Sequence, residues 1–328
     1  MAKPKVLMVG KVNYAIEEWN ALSDIAELEV CTSANRAEFI EDLKTKYNDV
    51  AAIYHNSVAI TGQVDEEVLK NAPSTLKYIC HHGAGYDKIS IEPCTARGIK
   101  VANSPSSVDD ATADVTMFLV LAALRNFNHG INTLRRGEWF NGVAIAHDPK
   151  DKVLGILGMG GIGRSLKKKA EAFGMTVQYH NRRPLSPELS GGAKYVSFDE
   201  LLATSDVLSL NLPLNEKTHH IINAEAFDKM KDGIFIVNTA RGAVMDEDAL
   251  VQALASGKVA NAGLDVFEAE PTIHPGLLAN EKVMLLPHMG TYTVETRKDM
   301  EARVISNIRA GLETGKLINA VPEQAGMP

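Results

Sequence analysis

Short apolar runs alternate with amphipathic stretches along the first third of the chain. Five runs have the aliphatic and β-branched composition of buried strands: Lys5 to Val9, Leu28 to Cys31, Val50 to Tyr54, Leu76 to Cys80 and Ile99 to Ala102. The stretches between them, such as residues 16–25 and 36–47, have helical spacing. Because alternating strands and helices form parallel sheets, this pattern predicts a small flavodoxin-like α/β domain.

A second series of the same kind follows Asp148-Pro149. Its six strand candidates are Val153 to Leu157, Met175 to His180, Asp206 to Leu210, Gly233 to Val237, Ala262 to Val266 and Val283 to Leu286. Six parallel strands covered by helices make up a complete dinucleotide-binding fold. The chain is therefore predicted to be an α/β protein of two Rossmann-like domains: a six-stranded parallel dinucleotide-binding domain and a smaller flavodoxin-like substrate domain.

Two long helical patterns mark the predicted domain boundaries. The stretch Asp109 to Leu124 opens with acidic residues and continues almost wholly apolar, which predicts a buried helix that joins the domains. The stretch Val294 to Thr314 follows the sixth strand, and we expect it to pack on the first domain. We therefore predict a substrate-binding domain over residues 1–104 and 296–328, and a dinucleotide-binding Rossmann domain over residues 105–295.

Composition narrows the class of protein. Hydrophobic residues make up 45% of the 328 residues and charged residues 23%, which is typical of a globular protein. The net charge of -7 disfavours a nucleic-acid partner, because phosphate binding needs a clustered positive field. The three cysteines have no C-x-x-C spacing, so neither disulfides nor a metal site is predicted. No signal peptide and no apolar run of about 18 residues is recognised, so we expect no membrane contact and a cytoplasmic location.

A glycine-rich turn follows the first strand of the second series, at the head of a helix predicted from Gly161 to Phe173. Glycine clusters also occur where a turn is merely tight, but this placement favours dinucleotide binding. There the glycines permit the turn, the approach of a pyrophosphate and close helix packing, and the helix N-terminus offers free N–H groups. The predicted phosphate contacts are Gly158, Met159, Gly160, Gly161, Ile162 and Gly163.

The second strand of this series ends in Asn181, Arg182 and Arg183. Folds that prefer NAD carry an acidic residue about 20 residues beyond the first glycine, where it binds the ribose 2′-hydroxyl. No acidic residue occurs here, and two arginines would attract a 2′-phosphate. The sequence therefore predicts NADPH as the preferred cofactor, with NADH as an alternative.

Polar residues follow the last three strands of the series. They are Thr239, Ala240 and Arg241 after the fourth strand, Asp265, Glu268 and Glu270 after the fifth, and His288 and Gly290 after the sixth. Ligands of open α/β sheets lie at the carboxyl ends of the strands. An arginine fork grips a carboxylate, and histidine exchanges protons near physiological pH. The set suits reduction of a 2-oxo acid, although spacing alone leaves Glu268 and Glu270 equivalent.

Histidine also occurs in two adjacent pairs, His81 with His82 and His219 with His220. Neighbouring side chains of a strand point to opposite faces, and neither pair has the spacing of a zinc-binding helix. We expect these histidines to have surface or packing roles.

Taken together, the motifs resemble those of the D-isomer-specific 2-hydroxyacid dehydrogenases, and within that family the fungal glyoxylate/hydroxypyruvate reductases. The likeness extends over essentially the whole chain. It rests on five segments in the family's order, namely residues 82–87, 158–163, 237–242, 263–271 and 287–290.

The resemblance implies a catalytic set of Arg241, Glu270 and His288, and it selects Glu270 over Glu268 as the partner of the histidine. It implies that the substrate carboxylate and keto oxygen are bound by Ala84, Gly85, Arg241 and His288. The further cofactor contacts that we expect are Thr112, Asn181, Arg182, Arg183, Leu212, Pro213, Thr218, Thr239, Ala240, Arg241, Asp265, His288 and Gly290. It also implies a homodimer, in which Trp139 either enters the neighbouring subunit's site or packs in the interface.

The predicted activity is NADPH-dependent reduction of a small 2-oxo acid, glyoxylate or hydroxypyruvate, to the D-2-hydroxy acid, with His288 as general acid. One alternative is a reductase of bulkier aryl 2-oxo acids, similar to D-mandelate dehydrogenase. Another is a non-catalytic, nucleotide-sensing protein similar to the corepressors that share this fold. The lack of basic tails disfavours the second alternative.

Overall fold

The computed structural model describes residues 2–327. Its contacts divide the chain into two compact units. The first unit comprises the residues up to Val108 together with those from Tyr292 onward, and the second runs from Asp109 to Thr291. These divisions lie four residues after the predicted boundary at 104 and four before the one at 295, because the first helix of the second unit begins at Asp109.

The first unit begins with five strands and five short helices. The strands are β1 (Lys5–Val9), β2 (Glu27–Val30), β3 (Val50–His55), β4 (Tyr78–His81) and β5 (Lys100–Ala102). The helices are α1 (Ile16–Ala21), α2 (Arg36–Lys44), α3 (Val58–Thr61), α4 (Glu66–Asn71) and α5 (Ile91–Ala96). All strand pairs are parallel and their order is β2-β1-β3-β4-β5, which is the flavodoxin-like order predicted from the sequence.

The second unit has seven strands and eight helices among the described residues. The strands are β6 (Val153–Leu157), β7 (Thr176–His180), β8 (Lys194–Tyr195), β9 (Val207–Leu210), β10 (Ile234–Asn238), β11 (Val259–Leu264) and β12 (Met284–Leu285). The helices are α6 (Asp109–Leu124), α7 (Phe127–Arg135), α8 (Gly161–Ala172), α9 (Pro187–Ser190), α10 (Phe198–Thr204), α11 (Ala224–Asp228), α12 (Glu247–Ser256) and α13 (Pro275–Leu278).

The seven strands form one parallel sheet in the order β12-β11-β10-β9-β6-β7-β8. The predicted six strands are all present, and the seventh, β8, was not predicted. It has only two residues, both exposed, and it pairs with Gln178 and Tyr179 at the edge of the sheet. Such a strand leaves no apolar run to recognise. The strand order reverses between β6 and β9, which is where ligands bind in sheets of this kind.

Helix α6 lies in the core of the second unit. Nine of its sixteen residues are buried, and it packs against α8, β10 and β11. Its backbone passes so close to the sheet that a side chain at Gly263 would lie 2.8 Å from Leu119. Buried small residues on this helix, including Ala122 and Ala123, allow that approach.

The last helix, α14 (Val294–Thr314), packs on β3 and β4 of the first unit, as predicted. Thr293 caps its N-terminus by accepting a hydrogen bond from the Thr296 N–H, and Gly315 ends it with a φ of 75°. Its buried residues Val304, Ile305 and Ile308 complete the apolar core on that side of the sheet. No helix among residues 2–327 is long and apolar enough to cross a membrane.

Candidate active site

Three glycines occupy key positions in the turn after β6, each for a different geometric reason. Gly158 has a φ of 98°, and a Cβ there would lie 2.8 Å from the backbone of Leu212 after β9. A Cβ on Gly163 would lie 2.8 Å from the carbonyl oxygen of Gly158, so α8 packs tightly on the turn. The position of a Cβ on Gly160, at the N-terminus of α8, has no atom within 4 Å. The turn is therefore tight where it must fold and open where a pyrophosphate would approach.

Asn181 braces this turn from the end of β7. Its side-chain oxygen accepts a hydrogen bond of 2.7 Å from the Met159 N–H, and its carbonyl accepts one from the Tyr195 hydroxyl. Arg182 and Arg183 follow and are exposed. Within residues 2–327 neither guanidinium pairs with a carboxylate. The end of β7 thus presents an amide and two cations.

Asp109 also lies beside the glycine turn, which the sequence did not indicate. Its carboxylate is so close to Gly161, in the first turn of α8, that any side chain at Gly161 would overlap it. A carboxylate is stabilised at the positive end of a helix dipole. The helix N-terminus that is expected to receive phosphates therefore already has an acidic neighbour from α6.

The segment after β9 lies next to the same turn. The Thr218 hydroxyl donates a hydrogen bond of 2.7 Å to the Pro213 carbonyl and accepts one from the Asn215 N–H. These bonds order the loop that begins at Leu212, whose backbone contacts Gly158. Of the expected cofactor contacts, Leu212 therefore lies against the turn, and Pro213 and Thr218 lie in the ordered loop that follows it.

Arg241 is presented by an ordered turn at the end of β10. The buried Asn238 side chain accepts a hydrogen bond from the Ala240 N–H and donates one to the Arg241 carbonyl. Gly242 packs so tightly on the backbone of Phe267 that no side chain would fit there. The loops after β10 and β11 are thus in direct contact.

Glu270 and His288 form the central pair of the site. The Nδ1 atom of His288 lies 2.9 Å from Oε2 of Glu270, and Oε1 of Glu270 accepts a hydrogen bond from the Phe267 N–H. Partial burial would raise the pKa of Glu270, but the bonds from His288 and Phe267 and the charges of His288 and Arg241 outweigh it. The net pKa of Glu270 is lowered, so this carboxyl is ionised at neutral pH. The Glu270-Pro271 peptide is cis.

Glu268 has a different set of partners. Its carboxylate accepts a hydrogen bond from the Glu247 N–H, and the Glu247 carboxylate accepts one from the Glu268 N–H. Nε2 of His220 lies 2.9 Å from the Glu268 carboxylate. The structure thus separates the two acids that spacing could not distinguish, and Glu270 alone contacts His288.

Asp265 holds the loop that carries His288. It is almost fully buried, and its two carboxylate oxygens accept hydrogen bonds of 2.8 Å from the N–H groups of Met289 and Gly290. Burial raises the pKa of Asp265 despite these bonds. A Cβ on Gly290 would lie 3.2 Å from both Asp265 and Thr112, so Gly290 packs against both residues.

Thr112 and Thr239 are linked through α6. The Thr116 hydroxyl donates to the Thr112 carbonyl at 2.7 Å and lies 2.8 Å from the Thr239 hydroxyl. Four of the expected cofactor contacts, Thr112, Thr239, Asp265 and Gly290, therefore belong to one connected set at the strand ends.

Ala84 and Gly85 lie in the first unit, in the turn after β4. The Gly83 carbonyl accepts a hydrogen bond from the Ser104 N–H, and the Ala84 carbonyl accepts one of 2.6 Å from the Asn103 side chain. Among residues 2–327 the N–H groups of Ala84 and Gly85 have no acceptor. The turn thus offers two free donors, which is what a bound carboxylate needs.

Trp139 follows α7 in an extended loop. It is 69% exposed, and the neighbouring Phe140 and Ile145 are also exposed. Apolar surface of this kind is typical of a protein–protein interface. The homodimer, and the entry of Trp139 into a partner's site, remain predictions.

The fold and these residues define a class of protein, a Rossmann-type oxidoreductase that uses a nicotinamide dinucleotide. Residues 117–290 match the family model described as D-isomer specific 2-hydroxyacid dehydrogenase, NAD binding domain. The 4-methyl-2-oxopentanoate reductase A of Aspergillus oryzae is 55% identical over 98% of both chains.

Three solved structures are similar over nearly their whole length. A glyoxylate reductase from Paecilomyes thermophila has a TM-score of 0.97 and 52% identity, covering 99% of this chain and 100% of that one. The D-mandelate dehydrogenase of Rhodotorula graminis has a TM-score of 0.93 and 33% identity, with 98% of each chain covered. An NADPH-dependent glyoxylate/hydroxypyruvate reductase from Sinorhizobium meliloti, in complex with NADP and malonate, has a TM-score of 0.86 and 29% identity, with 98% of each covered.

The chain belongs to the D-isomer-specific 2-hydroxyacid dehydrogenases. It is therefore an enzyme that acts on 2-oxo acids and D-2-hydroxy acids with a nicotinamide dinucleotide. This confirms the family and the enzymatic activity that the sequence motifs indicated, and it disfavours the non-catalytic alternative.

Proposed function

We propose that the enzyme reduces a small 2-oxo acid, such as glyoxylate or hydroxypyruvate, to the D-2-hydroxy acid with NADPH. The observation that carries the proposal is the contact of 2.9 Å between His288 and Glu270 at the strand ends that also carry Arg241. A proton donor held by a carboxylate, next to a carboxylate-binding cation, is the minimum that this reduction requires.

His288 is the proposed general acid. Its Nδ1 is held by the ionised Glu270, so the proton for the substrate must come from Nε2. Glu270 thereby fixes the tautomer of His288, as the carboxylate partner of a catalytic histidine does in other enzymes. The proton goes to the oxygen of the 2-oxo group, which becomes the hydroxyl of the product.

The substrate carboxylate is the proposed ligand of Arg241 and of the two free N–H groups of Ala84 and Gly85. A guanidinium can bind a carboxylate through two parallel hydrogen bonds and still polarise an adjacent carbonyl. The hydrogen bonds of Asn238 fix the backbone of Arg241, so the position from which its side chain extends is also fixed.

The glycine turn fits the pyrophosphate of the cofactor, since Gly160 leaves its position open at the start of α8. Arg182 and Arg183 would bind the 2′-phosphate. The adenosine would lie against Leu212, Pro213 and Thr218. The nicotinamide side would be bound by Thr112, Thr239, Ala240, Asp265 and Gly290. When bound, NADPH supplies the hydride that is added to the 2-carbon of the substrate.

Removing the two arginines at the end of β7 should change cofactor preference. We expect Arg182→Ala with Arg183→Ala to raise KM for NADPH about 10- to 100-fold, because hydrogen bonds between charged groups are lost, while KM for NADH stays nearly constant. Initial rates with both cofactors measure this. Lys229→Ala with Lys44→Ala, which removes two cations from exposed ion pairs with Asp199 and Glu41, is the control for net charge. Equal losses with both cofactors would contradict the role of the arginines.

The choice of substrate is tested with a panel of 2-oxo acids. We expect glyoxylate and hydroxypyruvate with NADPH to give the highest kcat/KM, and hydroxypyruvate to yield D-glycerate. The 55% identical Aspergillus relative makes 4-methyl-2-oxopentanoate the second candidate, and the similarity to a D-mandelate dehydrogenase adds benzoylformate. If either larger acid is reduced with a higher kcat/KM than both small ones, the proposed substrate class is wrong.

A further inference from the structure

Two histidines of the first unit lie side by side at the ends of neighbouring strands. His55 ends β3 and His81 ends β4, and their Nδ1 atoms are 2.9 Å apart. The other ring nitrogen of His55 lies 2.9 Å from the Thr61 hydroxyl, at the end of α3. His55 is 1% exposed and Thr61 is equally buried. The three side chains therefore form a continuous hydrogen-bonded chain inside the unit.

The direction of the hydrogen bonds follows from the far end of this chain. The Thr61 hydroxyl lies 2.9 Å from the Gly62 carbonyl and 3.4 Å from the Ser57 carbonyl, and both can only accept. Its single proton is directed to the backbone, so Thr61 accepts from Nε2 of His55.

His55 carries only this one proton. Burial, with a smaller effect of His81, lowers the pKa of His55 to about 3, so the ring is neutral. Since its proton is on Nε2, its Nδ1 must accept from the Nδ1–H of His81. The chain thus fixes both the tautomer of His55 and the orientation of the His81 ring.

The other ring nitrogen of His81, Nε2, lies against the turn after β4. A Cβ on Gly83 would lie only 2.8 Å from Nε2 of His81, so the ring packs directly against the Gly83 backbone. In addition, the Ser104 N–H donates a hydrogen bond to the Gly83 carbonyl and the Asn103 side chain donates one to the Ala84 carbonyl. The His81 ring and these two bonds thus hold the Gly83 and Ala84 backbone, next to the N–H groups of Ala84 and Gly85.

We propose that His81 is a positioning residue for the substrate carboxylate, and that His55 and Thr61 act through it by fixing its ring. The proposal rests on the proposed function, in which Ala84 and Gly85 donate to that carboxylate. If the ring were free to rotate, Gly83 would lose its support and the two N–H groups would no longer keep a fixed direction. Hydrogen bonds weaken steeply as donors turn away from the acceptor, so the carboxylate would be bound more weakly.

Two matched pairs of variants test the proposal. His81→Leu removes the donor to His55, whereas the side-chain amide of His81→Asn places an N–H group near the position of Nδ1. Thr61→Val removes the acceptor without changing shape, and Thr61→Ser keeps it. KM for glyoxylate, KM for NADPH, kcat and the midpoint of thermal unfolding are measured for all four variants and for the wild-type enzyme.

We expect His81→Leu to raise KM for glyoxylate about tenfold, the factor that one ordinary hydrogen bond contributes. kcat at saturating substrate and KM for NADPH should stay within about twofold, and His81→Asn should recover most of the loss. Thr61→Val should raise KM for glyoxylate and Thr61→Ser should not, although Thr61 is not placed next to the substrate. This difference between KM and kcat is not expected from a residue that only supports the fold.

Two results would overturn the proposal. One is an unchanged KM for glyoxylate in folded His81→Leu and Thr61→Val; the other is a parallel change of KM for both ligands, which would indicate a general structural role. Because Thr61→Val is a small change, it keeps the test valid if His81→Leu does not fold. The wild-type enzyme separates the two hypotheses, since its failure to oxidise NADPH with any 2-oxo acid would contradict the proposed function instead.

Discussion

Replacing His288 by glutamine is expected to lower kcat for 2-oxo acid reduction by at least about 100-fold, because a positioned general acid contributes about 10² to 10⁴ in rate. Glutamine can still accept or donate a hydrogen bond at Glu270, so the loop should keep its structure, but it cannot release a proton. The decisive measurement is single-turnover NADPH oxidation at saturating glyoxylate, together with NADPH affinity by fluorescence titration.

The affinity for NADPH should stay within about threefold of wild type in this variant, since the loss belongs to proton transfer. His129→Gln on α7, remote from the strand ends in sequence, is the matched control and should retain full turnover. Near-normal kcat in His288→Gln would refute the assignment of the general acid. Glu270→Gln should also slow the reaction, because it removes the negative charge that stabilises the imidazolium before proton transfer.

Replacing Arg241 by lysine is expected to lower kcat/KM for 2-oxo acids about 100-fold. Lysine keeps the positive charge but loses the planar fork, and each hydrogen bond to a charged group contributes about 1.5 to 3 kcal/mol. Steady-state kinetics with glyoxylate would show the loss. Arg303→Lys, in an exposed ion pair with Asp299 on α14, controls for the exchange itself. If Arg241→Lys preserves both KM and kcat, Arg241 does not bind the substrate.

Much of the fold could be predicted because short apolar runs recur regularly between helical stretches. Helices α6 and α14 have the bounds expected from their patterns. The strand β8 could not be predicted, because two exposed residues at a sheet edge carry no hydrophobic signal. The additional strand lies beside the segment that carries Arg182 and Arg183, where Tyr195 contacts the backbone of Asn181.

The candidate site was only partly visible in the sequence. Strand ends indicated Arg241, Glu270 and His288, but the choice between Glu268 and Glu270 depends on how the turn after β11 folds. Contacts that need three dimensions were missed, namely the Asp265 bonds to the Met289 and Gly290 N–H groups and the position of Asp109.

The histidines of the first unit show why such contacts escape a sequence pattern. His81 and His82 were expected to have surface or packing roles, and neither spacing nor composition links His81 to His55. The hydrogen-bonded pair arises because β3 and β4 are neighbours in register, with His55 opposite His81. Register between strands is a property of the folded sheet, and one chain read in isolation does not contain it.

His288 adopts a left-handed backbone conformation with a φ of 53°, which costs a non-glycine residue about 1 to 2 kcal/mol. The two bonds from Asp265 to the following N–H groups hold this conformation. The fold has therefore oriented the proposed proton donor before any substrate arrives, and little of the binding energy is needed for that step. A consequence for engineering is that glycine at position 288 would relax the backbone and stabilise the fold at the expense of the reaction. Searches for thermostable variants that do not also assay turnover would tend to select against His288.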